Sequence, residues 1–457
     1  MARRRGQDEP PSRLADDADP ELAEKVEPLD PTECRPLPKR SLALAALVSV
    51  VWIWLHWCAS GVQSANGGPA SDISLKYDVL SSWVQWSNWH LWGSSTAGDT
   101  MHQAIGTPPD PRLLDREVCA VAARLLAAGA TSPRARVRVL DAGSGWGGTS
   151  FALASSLAGL GYGVEVDGLT LSGVQASHAN AAAAERGLAS AVRFHRRTFD
   201  DAQVLVAEAA AAADTASAAA HESGHAPGSE SGFLFDLAVS IEALVHSPDL
   251  RRSLRALSSA LKPGVSGVAA AHVIIVDDVL AEGDPAALAA IRLSLGGRAR
   301  EGNADDHDPV LAAYRRYWAG HAGDTPFPLM ESQWRSYLAS AGLGGGGAGG
   351  GGAGGGLGGR GGRGGLGVTF VDLGAAHGLR LHGEGRLRLA AAGLGAALWL
   401  AQSAVPRCLL PGLESYLGTY VGAVARERLL AAGRIRYALI AASNGGTGEE
   451  PWPVPEA

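Results

Sequence analysis

The sequence predicts an α/β fold, an open, mostly parallel sheet with helices on both faces, and two local patterns carry that expectation. Val137 to Ser150 reads Val-Arg-Val-Leu-Asp-Ala-Gly-Ser-Gly-Trp-Gly-Gly-Thr-Ser: a strand, a glycine-dense turn and the start of an Ala-rich helix. Gly163 to Ser172 then reads as a second strand running into a turn. Ser172, three residues before Gln175, is placed to cap the helix that follows.

The glycine turn is the chemically informative element. A turn of this kind at the carboxyl end of a first strand lets a nucleotide-like ligand lie directly against backbone. Asp141, two residues before Gly143, fixes a negative charge inside it. That charge repels a pyrophosphate and welcomes a cationic amino-acid ligand, of which S-adenosylmethionine is one. The segment Gly143-Ser-Gly-Trp-Gly-Gly148 also satisfies G-x-G-x-x-G, with Glu165 or Asp167 as the acid on the second strand. A dinucleotide reading, and with it a nicotinamide-dependent oxidoreductase, therefore stays open at this point. At the end of the second strand stand Thr170 and, one helical turn on, Gln175. Both bond readily to a ribose diol; a capped helix with no ligand role is the alternative.

With Leu-Asp-Ala-Gly-Ser-Gly-Trp-Gly-Gly and Gly168-Leu-Thr-Leu-Ser-Gly-Val-Gln175 together, the chain resembles class I S-adenosylmethionine-dependent methyltransferases. Within them it is most similar to the branch of tocopherol, sarcosine/dimethylglycine and sterol methyltransferases and cyclopropane fatty-acid synthases. Phe235-Asp-Leu-Ala-Val-Ser-Ile-Glu-Ala-Leu-Val-His-Ser-Pro248 resembles the fourth strand and its substrate-facing turn. Leu254 to Gly264 resembles the helix and turn before a fifth strand, Ala270 to Asp277. Arg426 to Ile440 resembles the helix and last strand. The resemblance covers most of Tyr77 to Ser443 and implies a Rossmann-like, seven-stranded sheet whose last strand enters antiparallel.

Composition bounds the remaining choices. A chain of 457 residues exceeds a usual single domain, so a catalytic domain with appendages is expected. A net charge of −7 gives no basic footprint for nucleic acid. Cys34, Cys58, Cys119 and Cys408 lack C-x-x-C spacing, suggesting neither a metal site nor a disulfide framework. Residues 1–40 are charged and Pro-bearing, and read as a disordered tail. Leu42 to Ala59 is apolar except for Ser49 and His56, with Trp52, Trp54 and Trp57 in its second half, and predicts one membrane-spanning helix over 41–62. A buried core helix is the alternative. Arg35, Lys39 and Arg40 precede the run and no basic residue follows before Lys76, so the N-terminus is expected in the cytosol or stroma.

Residues 63–135 read as juxtamembrane and lid helices, where Trp83, Trp86, Trp89 and Trp92 pack over the site or lie at the membrane surface. The core follows at 136–341, with an Ala-rich low-complexity insertion at 203–232 bearing His221 and His225. A Gly-rich flexible segment, 342–367, separates it from the C-terminal part of the sheet, 368–444, and a tail, 445–457. Leu389 to Val405 reads as a domain or interfacial helix rather than a second span.

The resemblance also implies roles. Asp141 and Ala142 with the backbone of Gly143, Gly145 and Gly147 would hold the amino-acid end and ribose of the donor, and Thr170 and Gln175 the ribose hydroxyls. Thr198, Phe199 and Ile241 would border the adenine; the family commonly has an acid before the aromatic where this chain has Thr198. Glu242 and His246, just past the fourth strand, would orient or deprotonate an acceptor. A cap for Glu242 and a structural hydrogen bond for His246 are the alternatives. Tyr77, followed by Asp78, matches a Tyr-Asp pair found near the donor in this branch. The expected function is methyl transfer from S-adenosylmethionine to a small molecule or lipid: a prenylated quinol, a sterol, a lipid headgroup or a small amine. No metal ligand set is expected. A catalytically inactive, methyltransferase-like membrane scaffold is the third reading.

Overall fold

The computed structural model of the chain describes residues 102–103, 105–106, 110–128, 135–220, 234–263, 271–281, 308–318, 327–343, 367–379, 392–393, 396 and 410–444. The expected span over 41–62, the lid helices up to residue 101, Tyr77 and most of the Gly-rich segment lie outside the described residues. Among the described residues no helix is long and apolar enough to cross a membrane.

Helix α1 (Pro111–Ala128) leads into β1 (Arg136–Ala142), which is buried from Val137 onward. Burial on both faces explains why Val137, Val139, Leu140 and Ala142 are all apolar, although they fall on both faces of the strand: interior parallel strands are covered by helices on each side. Then follow α2 (Gly148–Gly159), β2 (Gly163–Thr170), α3 (Gly173–Glu185), β3 (Val192–Arg196) and α4 (Ala202–Ala220). Ser172 caps α3 as its sequence position predicts, its side chain accepting from the Gln175 amide at 3.1 Å. The Ala-rich run expected as an insertion departs from that reading. Its first part is α4, the crossover from β3 to β4, because alanine is the strongest helix former.

Strand β4 (Leu237–Ile241) and α5 (Leu250–Ala260) come next. Helix α5 buries Leu250, Ser253, Leu254, Leu257 and Ala260, a stripe at helical spacing, and is capped by Asp249, whose side chain accepts from the Arg252 amide at 3.0 Å. Strand β5 (His272–Leu280) is buried throughout and runs three residues past its expected end at Asp277. The C-terminal part comprises α6 (Pro309–Ala313) with a π-turn to Trp318, β6 (Leu329–Met330), α7 (Glu331–Ser340), β7 (Val368–Asp372), α8 (Leu373–His377), α9 (Leu410–Ala431) and β8 (Ile435–Ser443).

The strands form one sheet in the order β3-β2-β1-β4-β5-β8-β7, with β8 antiparallel to both its neighbours. The antiparallel last strand matches the expectation. The count does not: an eighth, two-residue strand, β6, pairs with the end of β5. It carries too few residues for any periodicity to show in sequence. Leu140, Val239, Ile274, Ile440, Leu157 and Leu257, all fully buried, pack the sheet and its helices into one apolar core.

This topology places the site. The chain winds outward from β1 to β3 and returns to place β4 beside β1, so connections leave the β1 and β4 carboxyl ends in opposite directions. The crevice opened there is where open α/β sheets bind ligands.

Candidate functional site

Asp141, Gly143, Gly145 and Gly147 stand at that crevice. All three glycines have positive φ, 103°, 52° and 92° in order, which lets the turn fold back over β1. The amides of Gly143 and Ser144 both donate to the Leu169 carbonyl, at 3.0 and 2.8 Å, locking the turn to the end of β2. The glycines differ in what surrounds them. A Cβ on Gly143 would overlap Ala243 Cβ, and one on Gly147 would lie 2.6 Å from the Phe194 ring. Among the described residues, a Cβ on Gly145 would meet nothing within 4 Å. Two of the glycines are therefore demanded by packing, and the third is left clear by the described residues.

Asp141 lies beneath the turn, 2 % exposed, with Oδ2 accepting from the Ser150 hydroxyl at 2.5 Å. Burial pushes its carboxyl up to about 6, against the Ser150 hydrogen bond, which works the other way. Thr149 beside it donates to Asp115 at 2.6 Å and meets His102 Nε2 at 2.8 Å. The segment ahead of α1 thus reaches over the N-terminus of α2. That terminus begins at Gly147 and has no side-chain cap.

At the end of β2, Thr170 and Gln175 meet as their spacing predicts: the Thr170 hydroxyl donates to Gln175 Oε1 at 2.6 Å, and both residues are buried. The acids required by a dinucleotide reading are placed elsewhere. Glu165 and Asp167 lie inside β2, in register with Arg138 and Leu140 of β1, not at its end. Glu165 pairs with Arg136, and Asp167 meets Arg138 at 3.1 Å, Arg193 at 3.3 Å and His195 at 3.0 Å. Burial raises the Asp167 carboxyl, but the His195 hydrogen bond and the Arg193 and Arg138 charges outweigh it and hold it below the usual range. Both acids are committed to tying β1, β2 and β3 together.

Thr198 closes a 3-10 turn, its amide and hydroxyl each 2.9 Å from Asp201 Oδ2, so the acid of this turn sits after the aromatic rather than before it. The turn sets Phe199 against the glycine turn, with Cε1 3.7 Å from the position of a Gly143 Cβ. Ala142 accepts from the Ser240 hydroxyl at 2.8 Å, and Ile241 is buried at the β4 terminus. The donor-side residues expected from sequence are thus brought to one crevice, apart from Tyr77, which lies outside the described residues.

On the side expected to face an acceptor, Glu242 leaves β4 with φ of 50°, the one positive value at a non-glycine among the described residues. Its Oε1 accepts from Arg426 Nη2 at 3.1 Å, and at 3.3 Å from the Gln103 amide. His246 is held further along, buried in the 3-10 turn Leu244–His246 that its amide closes onto Ala243. Sequence reasoning missed the rest of this side: Gln103, Asp277, Asp278, Tyr314, Arg426 and Tyr437. The signal available was Asp277-Asp278 itself, two adjacent acids inside an otherwise apolar strand. A shallow cavity of about 530 Å³ lies at the opposite, amino-terminal edge of the strands, lined by Leu234, Leu261, Pro263 and Asn444 among others, away from these groups.

No protein-family model and no curated protein matches the chain. Among solved structures it is similar to a putative sarcosine dimethylglycine methyltransferase from Galdieria sulphuraria, at 14 % identity and a TM-score of 0.40, over 80 % of this chain and 98 % of that one. It is similar to geranyl diphosphate C-methyltransferase from Streptomyces coelicolor A3(2), at 15 % identity and a TM-score of 0.34, over 79 % of this chain and 98 % of that one. It is also similar to a Haemonchus contortus phosphoethanolamine N-methyltransferase, at 15 % identity and a TM-score of 0.36, over 71 % of this chain and 52 % of that one. All three neighbours are methyltransferases by name, and the last two were solved with S-adenosylhomocysteine bound.

Proposed function

We propose that this chain is an S-adenosylmethionine-dependent methyltransferase that acts on a small-molecule or lipid acceptor. One observation carries the reading: the glycine turn at the switch point lies over a buried acid, with Gly145 turned to open space. A zwitterionic amino-acid end fits that turn. Its ammonium group is drawn to Asp141, and its carboxylate to the uncapped N-terminus of α2, where the helix dipole is positive. A pyrophosphate would bring two negative charges against Asp141 instead. Thr170 at the β2 terminus suits a ribose hydroxyl, while Glu165 and Asp167 are spent on arginines, which argues against the nicotinamide reading. The apolar run Leu42 to Ala59 supports an acceptor drawn from a membrane surface.

S-adenosylmethionine would supply a methyl group on a sulfonium that leaves as a neutral thioether. The chain then needs to hold donor and acceptor in line, with the reacting atoms about 3 Å apart, and to exclude water. Asp141, Thr170 and the glycine backbone hold the donor end. Phe199 covers the turn from the β3 side, and Gln103 joins Glu242 to Arg426.

The test is calorimetric titration of the full chain with S-adenosylhomocysteine and, separately, NADH. Micromolar binding of the first and none of the second is expected; the reverse order would overturn the reading. The pH dependence follows from Asp141. Its carboxyl is protonated below about 6 and charged above, and only the charged form attracts an ammonium. Affinity for S-adenosylhomocysteine should therefore rise up to about tenfold per pH unit through pH 5 and level off above about 6. A flat profile from pH 5 to 7.5 would remove Asp141 from the donor site. Thr170→Val should lower the same affinity about fivefold, one hydrogen bond's worth. An unchanged Kd in that variant would leave Thr170 with only its bond to Gln175.

A further inference from the structure

Asp141 is not the only acid beneath the glycine turn. Thr149 and Ser150, adjacent in the first turn of α2, send their hydroxyl protons to two different carboxylates: Thr149 to Asp115 of α1 at 2.6 Å, and Ser150 to Asp141 of β1 at 2.5 Å. Both acids are buried. Two carboxylates are thus gathered under one helix end, and each disfavours the charge of the other. The segment ahead of α1 brings an imidazole to them. Ile105 anchors that segment: it is fully buried and bridges Asp110 and Leu379, while the Gly106 amide donates to the Gly378 carbonyl at 3.1 Å. Three residues before this anchor, His102 Nε2 stands 2.8 Å from the Thr149 hydroxyl oxygen and 3.6 Å from Asp115 Oδ1.

Thr149 has a single hydroxyl proton and Asp115 takes it, so in the contact with His102 the ring Nε2 is the donor. A second proton, on Nδ1, therefore charges the ring without breaking that bond. The charge bears on Asp141. Burial raises the Asp141 carboxyl to about 6; the Ser150 hydrogen bond and the His102 charge act against burial, and Asp115 acts with it. Two further titratable groups lie near this cluster. Cys119, one helical turn after Asp115 on α1, has its thiol pushed up to about 12 by burial and by Asp115, so it is neutral. Glu242, which the Gln103 amide meets at 3.3 Å, is paired with Arg426 at 3.1 Å.

We propose that His102 is a positioning residue of the donor site: its imidazolium, held on Thr149, offsets Asp115 and keeps Asp141 in the charged form that receives the donor's ammonium group. The inference rests on the methyltransferase reading above. His102 touches neither donor nor acceptor in this arrangement and acts through Asp141. Without the imidazolium, Asp115 and Asp141 would face each other as two buried like charges, and the pair would shed one charge by keeping a proton. A protonated Asp141 has nothing to offer an ammonium ion. The segment ahead of α1 is thereby tied to the donor end of the crevice by charge as well as by contact.

Two variants separate charge from shape. His102→Gln keeps an N–H for Thr149 and removes the cation, and Asp115→Asn keeps an acceptor for Thr149 and removes the opposing charge. The full chain and both variants, labelled with carbon-13 at the aspartate carboxyls, are titrated by NMR without ligand, the Asp141 signal being assigned by its loss in Asp141→Asn. Its midpoint should rise by about one pH unit in His102→Gln and fall by about one in Asp115→Asn. Calorimetry with S-adenosylhomocysteine should follow the midpoints. His102→Gln should bind about fivefold more weakly at pH 6 and Asp115→Asn about fivefold more tightly at pH 5, with both within about threefold of wild type at pH 8. A merely structural role would weaken binding at every pH, and in both variants alike. Midpoints that stay in place or move together overturn the proposal, as do midpoints that move apart while donor affinity does not follow. Failure of the wild-type chain to bind S-adenosylhomocysteine at any pH would sink the methyltransferase reading itself, and this inference with it, whatever the ligand-free midpoints are.

Discussion

Arg426→Met should lower the stability of the chain by about 3–5 kcal/mol, the loss typical of removing one partner from a buried ion pair. Arg426 is 4 % exposed, and Asp278 and Glu242 both depend on it. Burial alone would favour losing its proton, but Asp278 and Glu242 outweigh that and hold the guanidinium charged. Methionine roughly fills the stem's volume, so the loss reports the stranded carboxylates and not a cavity. A urea titration of the full chain measures it, and the double variant with Asp278→Asn should recover part of the loss. A cost under about 1 kcal/mol, the value of an exposed pair, would show that water already reaches the cluster.

The glycine turn gives the second large effect, and its positions separate folding from binding. Gly143→Ala faces two penalties: a φ of 103°, outside the usual range of an L-residue, and overlap with Ala243. Left-handed strain of about 1–2 kcal/mol plus overpacking of about 1–3 kcal/mol predicts a badly destabilised or unfolded chain. Gly145→Ala faces only the first, in milder form, because its φ of 52° lies in the left-handed helical region and nothing stands within 4 Å. That variant should fold with a loss of about 1 kcal/mol. Its methyl would nevertheless stand in the space assigned to the donor, and S-adenosylhomocysteine affinity should fall about tenfold or more. Urea midpoints beside calorimetric Kd values check both. Normal donor binding by Gly145→Ala would mean that the open face is not where the ligand lies.

What was legible in the sequence is local. The turn at Gly143–Gly147, the Ser172 cap and the Thr170–Gln175 pair each depend on residues within one turn of chain, and they stand where their spacing puts them. The Glu242 side was readable only at Glu242 and His246, since its other members come from five separate segments that meet only through tertiary packing. Asp277-Asp278 was a visible anomaly, but nothing local connects it to Arg426. The Ala-rich α4 was misread because composition says little about whether alanine is filler or helix. Strand β6 escaped for a simpler reason: two residues have no period.

The side chains that meet at Arg426 are far apart along the chain: Gln103 by 323 positions, Glu242 by 184 and Asp278 by 148. Contacts across such intervals reward the chain only after long loops have closed. The sheet from β1 to β5 can assemble without them, which makes the Arg426 cluster a late event in folding. Interactions made after the rate-limiting barrier act on escape from the native state, not on arrival. The Arg426 cluster should therefore set how long the folded chain persists: its loss would leave the refolding arm of a chevron nearly unchanged and raise the unfolding arm.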